Sequence, residues 1–282
     1  MRTLPLAIAS IRAQTFEDWE LLVMDDGSTD GSRQLADRLA KVDARVRVFE
    51  PAGSSALPAR LNQAIDAARG ALFARMDADD IAYPERFALQ TDFLRSHPEV
   101  SLLGTPIVIF DDDGAARGQR GAPSRHEEIC ALSSIVFRLY HPTWMGRIEW
   151  FRRYRYDEAA PRSQDQDLLH RTFRQSRFAN LPEPLLGYRE ARLPLKATLK
   201  GRAILARRIA ARSLGEGRPI VALTSLVGHA ARGTLDVVGQ AVWPEGVLRL
   251  RAKPLTPEQR AHWRAVWELV NEVASSASTR RP

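Results

Sequence analysis

Glu20-Leu21-Leu22-Val23-Met24 is a short, continuous apolar run that leads straight into Asp25-Asp26-Gly27-Ser28-Thr29-Asp30-Gly31-Ser32. A run without polar alternation reads as a strand buried on both faces, as inside a parallel sheet. The Asp/Gly/Ser string supplies a turn and capping side chains, so a helix is expected over residues 32–41. The same grammar repeats downstream. Residues 45–49 read as a second strand, and 58–68 as a helix with Leu61, Ala64, Ile65 and Ala68 on one face. Residues 71–76 read as a third strand, ending at Asp77-Ala78-Asp79-Asp80. Residues 84–96 follow as a helix with Pro84 in its first turn. Strands alternating with helices imply parallel pairing with helices on both faces, an α/β fold. Ligands then bind at the carboxyl ends of the strands. Both acidic strings directly follow strands, so they are expected to face one crevice.

The pattern changes after residue 100. Residues 100–110 are strand-like, and Asp111-Asp112-Asp113-Gly114 reads as a hairpin turn. Its three carboxylates resemble a metal site, but with no strand-end crevice to hold them a solvated turn is the preferred reading. Residues 4–14 show helical spacing (Leu4, Ala7, Ile8, Ile11). Residues 201–214 form a basic helix, with Arg202, Arg207, Arg208 and Arg212 around Ile204, Leu205 and Ile209. Thr256, Pro257 and Gln259 spell a capping box. The stripe Trp263, Val266, Trp267, Val270 behind it is expected to pack against the main body.

The 282 residues, 44% hydrophobic and 27% charged, suit one sizeable core plus an appendage. The division expected is 1–190 and a basic, mainly helical extension over 191–282. The lone Cys130 has no internal partner and reads as a buried small hydrophobe in a reducing, cytoplasmic compartment. Residues 1–110 carry 12 basic and 16 acidic side chains, net −4, whereas 196–282 carry 15 and 6, net +9. Such a tail suits an anionic partner, including the inner face of a plasma membrane; a solvated helix face explains it equally well. Nucleic acid is disfavoured, because the basic residues lack aromatic interleaving and no binding motif occurs. The most apolar late stretch, 219–243, is broken by His229, Arg232 and Asp236, short of the ~20 apolar residues a bilayer span requires. Met1-Arg2 before an apolar run superficially resembles a signal peptide, but Arg12 closes the run early.

Three groups could carry chemistry. Asp77 and Asp79 could hold one hard divalent cation, which suits neutralising a departing diphosphate, provided that the chain bends after its strand. Asp25 and Asp26 serve equally as turn-and-cap residues or as acceptors for a nucleoside. In Gln164-Asp165-Gln166-Asp167-Leu168-Leu169-His170-Arg171, Asp165 or Asp167 could deprotonate an acceptor hydroxyl, or simply favour a helix start. The residue types alone leave those alternatives open.

The runs Ser10-Ile11-x-x-Gln14-Thr15-Phe16, Glu20–Asp30, Asp77-Ala78-Asp79-Asp80 with Pro84-Glu85-Arg86, and Asp165-x-Asp167-Leu168-x-x-Arg171 resemble the family 2 glycosyltransferases of the GT-A fold. They keep family order over residues 4–190. Smaller echoes are Leu61–Ile65, His97–Val100, His141-Pro142-Thr143 and Leu185–Arg189. The resemblance implies a mixed sheet with helices on both faces. It also implies inverting transfer of a sugar from a nucleotide-diphosphate donor, a UDP-sugar foremost, to a saccharide or lipid-linked saccharide, with Mg²⁺ or Mn²⁺. By position it makes Asp26 the nucleoside-binding aspartate with Asp25 beside it. Asp79 becomes the principal metal ligand with Asp77 as its partner, Asp165 the catalytic base with Asp167 second, and Arg60 a donor contact. The Gln-x-x-Arg-Trp motif of processive members is absent, since residues 171–175 read Arg-Thr-Phe-Arg-Gln, so addition of a single sugar is expected. The first strand usual in the family is not found before residue 4, which raises two alternatives: a start site assigned too far downstream, or an inactive remnant acting as a binding module.

Overall fold

The computed structural model describes residues 3–50, 56–160, 162–190, 194–242 and 252–279. Helix α1 (Leu4–Arg12) is followed by β1 (Leu21–Met24), α2 (Ser32–Val42), β2 (Val46–Phe49), α3 (Leu57–Ala67) and β3 (Leu72–Ala74). Strands β1 and β2 pair in parallel, with Leu21 opposite Val46 and Met24 opposite Phe49. Contrary to the sequence reading, all four residues of β1 are half-buried. Among the described residues β1 is hydrogen-bonded to β2 alone, so one edge of the strand lacks a neighbour's cover. Helix α2 starts from Gly31 at φ +86°, a backbone that glycine adopts without strain. Asp30 then accepts the Ser32 N–H, and Asp25 the Ser28 N–H.

β3 belongs elsewhere. It runs antiparallel to β8 (Met145–Arg147), which pairs with β5 (Leu102–Gly104), itself parallel to β9 (Phe178–Asn180). A second four-stranded sheet has the order β4 (Ile81–Ala82), β10 (Leu186–Arg189), β6 (Ile107–Phe110), β7 (Ala116–Arg120). Among the described residues parallel pairing thus holds for β1–β2, β5–β9 and β6–β10 only, and the architecture is mixed. Residues 100–110 are two strands. Thr105 and Pro106 break them, with the Thr105 N–H donated to Thr143 Oγ1, and send β5 and β6 to different sheets. Helix α4 (Arg86–Ser96) starts after Pro84, whose carbonyl instead accepts the Thr15 N–H. The remaining helices are α5 (His126–Ile129), α6 (Ile148–Arg153), α7 (Gln164–Thr172), α8 (Leu195–Gly215), α9 (Pro219–Val242) and α10 (Pro257–Thr279). Helix α8 is longer than its basic stretch suggested, and half-buried Cys130 packs against the core.

Two apolar clusters hold these layers. One gathers Trp144, Phe151, Leu102 and Phe178; the other gathers Ile81, Leu103, Phe110 and the stripe of α10. The capping box forms reciprocally, Gln259 N–H to Thr256 Oγ1 and Thr256 N–H to Gln259 Oε1. Trp263 is buried, and its Nε1–H donates to the Gly114 carbonyl at 2.8 Å. Gly114, at φ +82° in the β6–β7 turn, admits the neighbouring Trp267, whose ring occupies the space a Cβ would take. Trp263→Ala should therefore cost about 3–5 kcal/mol, the transfer energy plus a cavity. Urea unfolding read by circular dichroism checks this.

Candidate functional site

Beyond β3 the chain turns back on itself, the Asp80 N–H reaching the Asp77 carbonyl at 3.3 Å. This bend lets residues that would alternate across a strand converge. Carboxylate oxygens of Asp77, Asp79 and Asp80 all lie within 4.8 Å of one another. Burial and the charge of Asp77 raise the pKa of Asp79. The same causes push Asp80 up to about 8. Asp80 is wholly buried; Oδ1 accepts the Arg189 N–H, and Oδ2 has no partner among the described residues. Arg189 also donates Nε to the Asp79 carbonyl at 3.1 Å, so β10 pins the turn from 110 residues away.

Arg75 extends the site. Its guanidinium grips both Asp77 oxygens, Nη1 to Oδ2 at 2.8 Å. Fully buried Arg86 donates Nη2 to the Arg75 carbonyl and Nε to Gln90, and burial lowers its pKa to about 9 against the opposing pull of Asp80. The charge of Arg75 also reaches Asp165, whose pKa burial raises. Tyr156 lies within electrostatic reach of Arg75, Asp165 and Asp77 alike. Its hydroxyl is 2.9 Å from His141 Nε2, on a ring held neutral by burial and by Arg75. Asn62 of α3 clamps the backbone of Tyr156 in both directions. Asp77 and Asp165, 88 positions apart in sequence, thus border one cluster.

Asp165 and Asp167 are two positions apart on α7, roughly 200° around the helix. Asp167 faces away from Arg75 and into α8, accepting Arg171 Nε at 2.9 Å, Arg208 Nε at 3.1 Å and Arg212 Nη2 at 3.2 Å. Burial alone would raise its pKa; the Arg171 hydrogen bond and the three charges prevail and lower it. Removing this carboxylate leaves partly solvated arginines uncompensated, so Asp167→Ala should cost about 3 kcal/mol, the low end for a broken buried pair. The stabilisation exists above the ordinary carboxylate range and is lost as pH falls through the depressed folded value. Wild type and variant should therefore converge in urea midpoint on acidification.

At the other strand end, Asp25 makes its turn and lies 4.0 Å from Arg33. Exposed Asp26 accepts buried Arg60 Nε at 3.0 Å. None of their described contacts reaches the Asp77 group directly; α3 is the link, holding Asp26 through Arg60 and Tyr156 through Asn62. Asp111 pairs with Arg117 and Asp112 with Arg189, and Asp113 accepts the Ala115 N–H, so the hairpin carboxylates are engaged as turn residues. Sequence reasoning missed Arg75, Asp80, Tyr156, His141 and Arg189 as site residues. Asp80, His141 and Arg189 stood inside quoted motifs, but Arg75 and Tyr156 left no local signal.

The geometry defines a mixed α/β domain with an acidic, cation-ready turn at a strand end. The fold is GT-A. TarS from S. aureus, solved as residues 1–349 with UDP, superposes with TM-score 0.59 at 16% identity, covering 96% of this chain and 77% of that one. The mannosyltransferase PcManGT from Pyrobaculum calidifontis, solved with GDP-Man and Mn²⁺, gives 0.57 at 14%, covering 99% and 85%. A family model described as "Glycosyl transferase family 2" matches residues 2–155, and the chain belongs to that family. The putative glycosyltransferase EpsE of Bacillus subtilis is 35% identical over 194 residues, 67% of this chain and 69% of EpsE. The O-antigen biosynthesis glycosyltransferase WbnJ of Escherichia coli is 28% identical over 189 residues, 65% and 73%. An uncharacterized glycosyltransferase of Haemophilus influenzae is 27% identical over 193 residues, 65% of this chain and 60% of that protein.

Proposed function

We propose that this chain transfers a single sugar from a nucleotide-diphosphate sugar, a UDP-sugar foremost, to a hydroxyl of a saccharide or lipid-linked saccharide in bacterial surface polysaccharide synthesis. The observation that carries the reading is the crowding of Asp77, Asp79 and Asp80 beside Arg75, whose charge also reaches Asp165. Similarity to WbnJ, and to folds solved with UDP and with GDP-Man and Mn²⁺, supports the donor class.

Three hard oxygen donors within one ion's reach, one of them with an unpartnered buried oxygen, suit Mg²⁺ or Mn²⁺. Asp77 and Asp79 would hold it, and when bound it would neutralise charge on the departing diphosphate. Asp26 and Asp25 would receive the nucleoside, with Arg60 orienting Asp26. Asp165 takes the acceptor's proton as that oxygen bonds to the anomeric carbon and the carbon–diphosphate bond breaks. Attack from the face opposite the leaving group inverts the configuration. Burial makes the Asp165 carboxylate a better base than a solvated one. Asp167 is occupied by three arginines, so its role is to fasten α7 to α8. The basic C-terminal part would lie at the cytoplasmic face of the membrane, beside a lipid-linked acceptor.

A donor screen following nucleotide release tests this. Release should require Mg²⁺ or Mn²⁺ and cease with a chelator. Silence across UDP-, GDP- and dTDP-sugars with metal and saccharide acceptors present would count against it.

A further inference from the structure

Helix α9 is built inside out. Its charged side chains, Arg232 and Asp236, and its single histidine, His229, are all turned inward; Asp236 pairs with Arg202 of α8 at 2.6 Å. Its 15 exposed positions carry no charge at all. Of the 14 exposed large hydrophobic side chains among the described residues, eight lie on α9, from Val237 at 43% exposure to Val242 at 78%. Single exposed aliphatics are ordinary, but a contiguous apolar face marks a surface that something else covers.

Helix α8 supplies the complement. Before its last residue, exposed Gly215, its exposed positions are Lys196, Lys200, Ala203, Arg207, Ala211 and Leu214, which recur every three or four residues and form one stripe. That stripe is turned away from Arg208 and Arg212, which hold the helix to Asp167. The hairpin therefore shows a basic stripe beside an apolar helix. Glu216, in the connecting turn, is the one exposed carboxylate from residue 194 to 242, and it is paired with Arg218.

We infer that the outer face of the α8–α9 hairpin lies on an anionic lipid surface, with the α9 aliphatics entering the interface and Lys196, Lys200 and Arg207 meeting the headgroups. The inference deepens the proposed function by naming the surface that would bring the site to a membrane-borne acceptor. No helix among the described residues is long and apolar enough to cross a membrane, so α9 lies in the plane of the interface. Charge favours lipid over a second copy of the chain. A two-fold contact through this face would set one basic stripe near another, whereas anionic headgroups attract each Lys or Arg.

The test uses the full chain and sedimentation with vesicles of phosphatidylcholine, with or without phosphatidylglycerol. Wild type should sediment with the anionic vesicles and far less with the neutral ones. The double variant Leu223→Glu/Val227→Glu, at exposed positions that leave the core intact, should bind about tenfold less or weaker. Lys200→Glu/Arg207→Glu should lose about 30-fold on anionic vesicles only, from two basic residues at roughly 1 kcal/mol each. Unchanged binding by the α9 variant overturns the proposal, even if the basic variant releases the protein. So does absence of vesicle binding with a dimer, seen by sedimentation velocity, that the α9 variant dissociates; the occupant is then a second copy. Nucleotide release on soluble acceptors is measured on the same preparations. A chain that binds vesicles but turns over no donor keeps the surface and loses the transferase reading.

Discussion

Replacing Asp79 by alanine is expected to abolish metal-linked nucleotide binding and to lower turnover by about 10³-fold or more. The factor corresponds to roughly 4 kcal/mol of transition-state stabilisation, within what a cation supplies to a leaving diphosphate. Stability should move the other way or stay level. The native carboxyl is strained by burial and by the charge of Asp77, and removing it relieves repulsion in the turn. Loss of function without loss of stability is the signature of a binding group rather than a packing one. Calorimetric titration of UDP with Mn²⁺ and with chelator, beside a thermal melt, reads both. Asp113→Ala in the β6–β7 hairpin serves as the control, since Asp113 only closes its own turn onto the Ala115 N–H. Retained Mn²⁺-dependent UDP binding by the Asp79 variant would remove the cation site from the mechanism.

Asp165→Asn is expected to lower kcat by about 10²–10⁴-fold while leaving donor affinity near wild type, because a general base acts on the acceptor proton and not on the nucleotide. The pH profile carries the sign. Only the deprotonated carboxylate accepts a proton, and burial raises this pKa, so kcat should fall on acidification above the ordinary carboxylate range. The asparagine variant should lose that acidic limb. Asp167→Asn is the counterpart. Its carboxylate lies among Arg171, Arg208 and Arg212, so the change should lower the melting point and spare the acidic limb. If Asp167→Asn erased the limb and Asp165→Asn did not, the two roles would have to be exchanged.

Much of the architecture was legible because short-range physics writes it. A strand within the 20–24 run, the capping box at Thr256 and the turn at Gly114 each depend on neighbours a few residues away, and each stands where it was expected. The failures have a common cause. β1 was expected to be covered on both faces and is half-exposed, because cover is given by strands elsewhere in the chain. The break at Thr105 and Pro106 was invisible within a continuous apolar stretch until Thr143, 38 positions on, claimed the Thr105 N–H. The interruptions at His229, Arg232 and Asp236 are visible in the sequence, but their inward direction depends on α8.

The sequence by itself determined the family, the strand-then-acid grammar and the residue types able to hold a cation or take a proton, since those follow from motifs and local propensity. Only the tertiary structure decided where each aspartate stands. Asp165 and Asp167 are the same residue type and differ by roughly 200° around one helix, and that angle leaves one within electrostatic reach of Arg75 and buries the other among three arginines. Arg75, Tyr156 and the unpartnered oxygen of Asp80 likewise gain meaning only through groups distant in the chain, because electrostatics acts through space and not along the backbone.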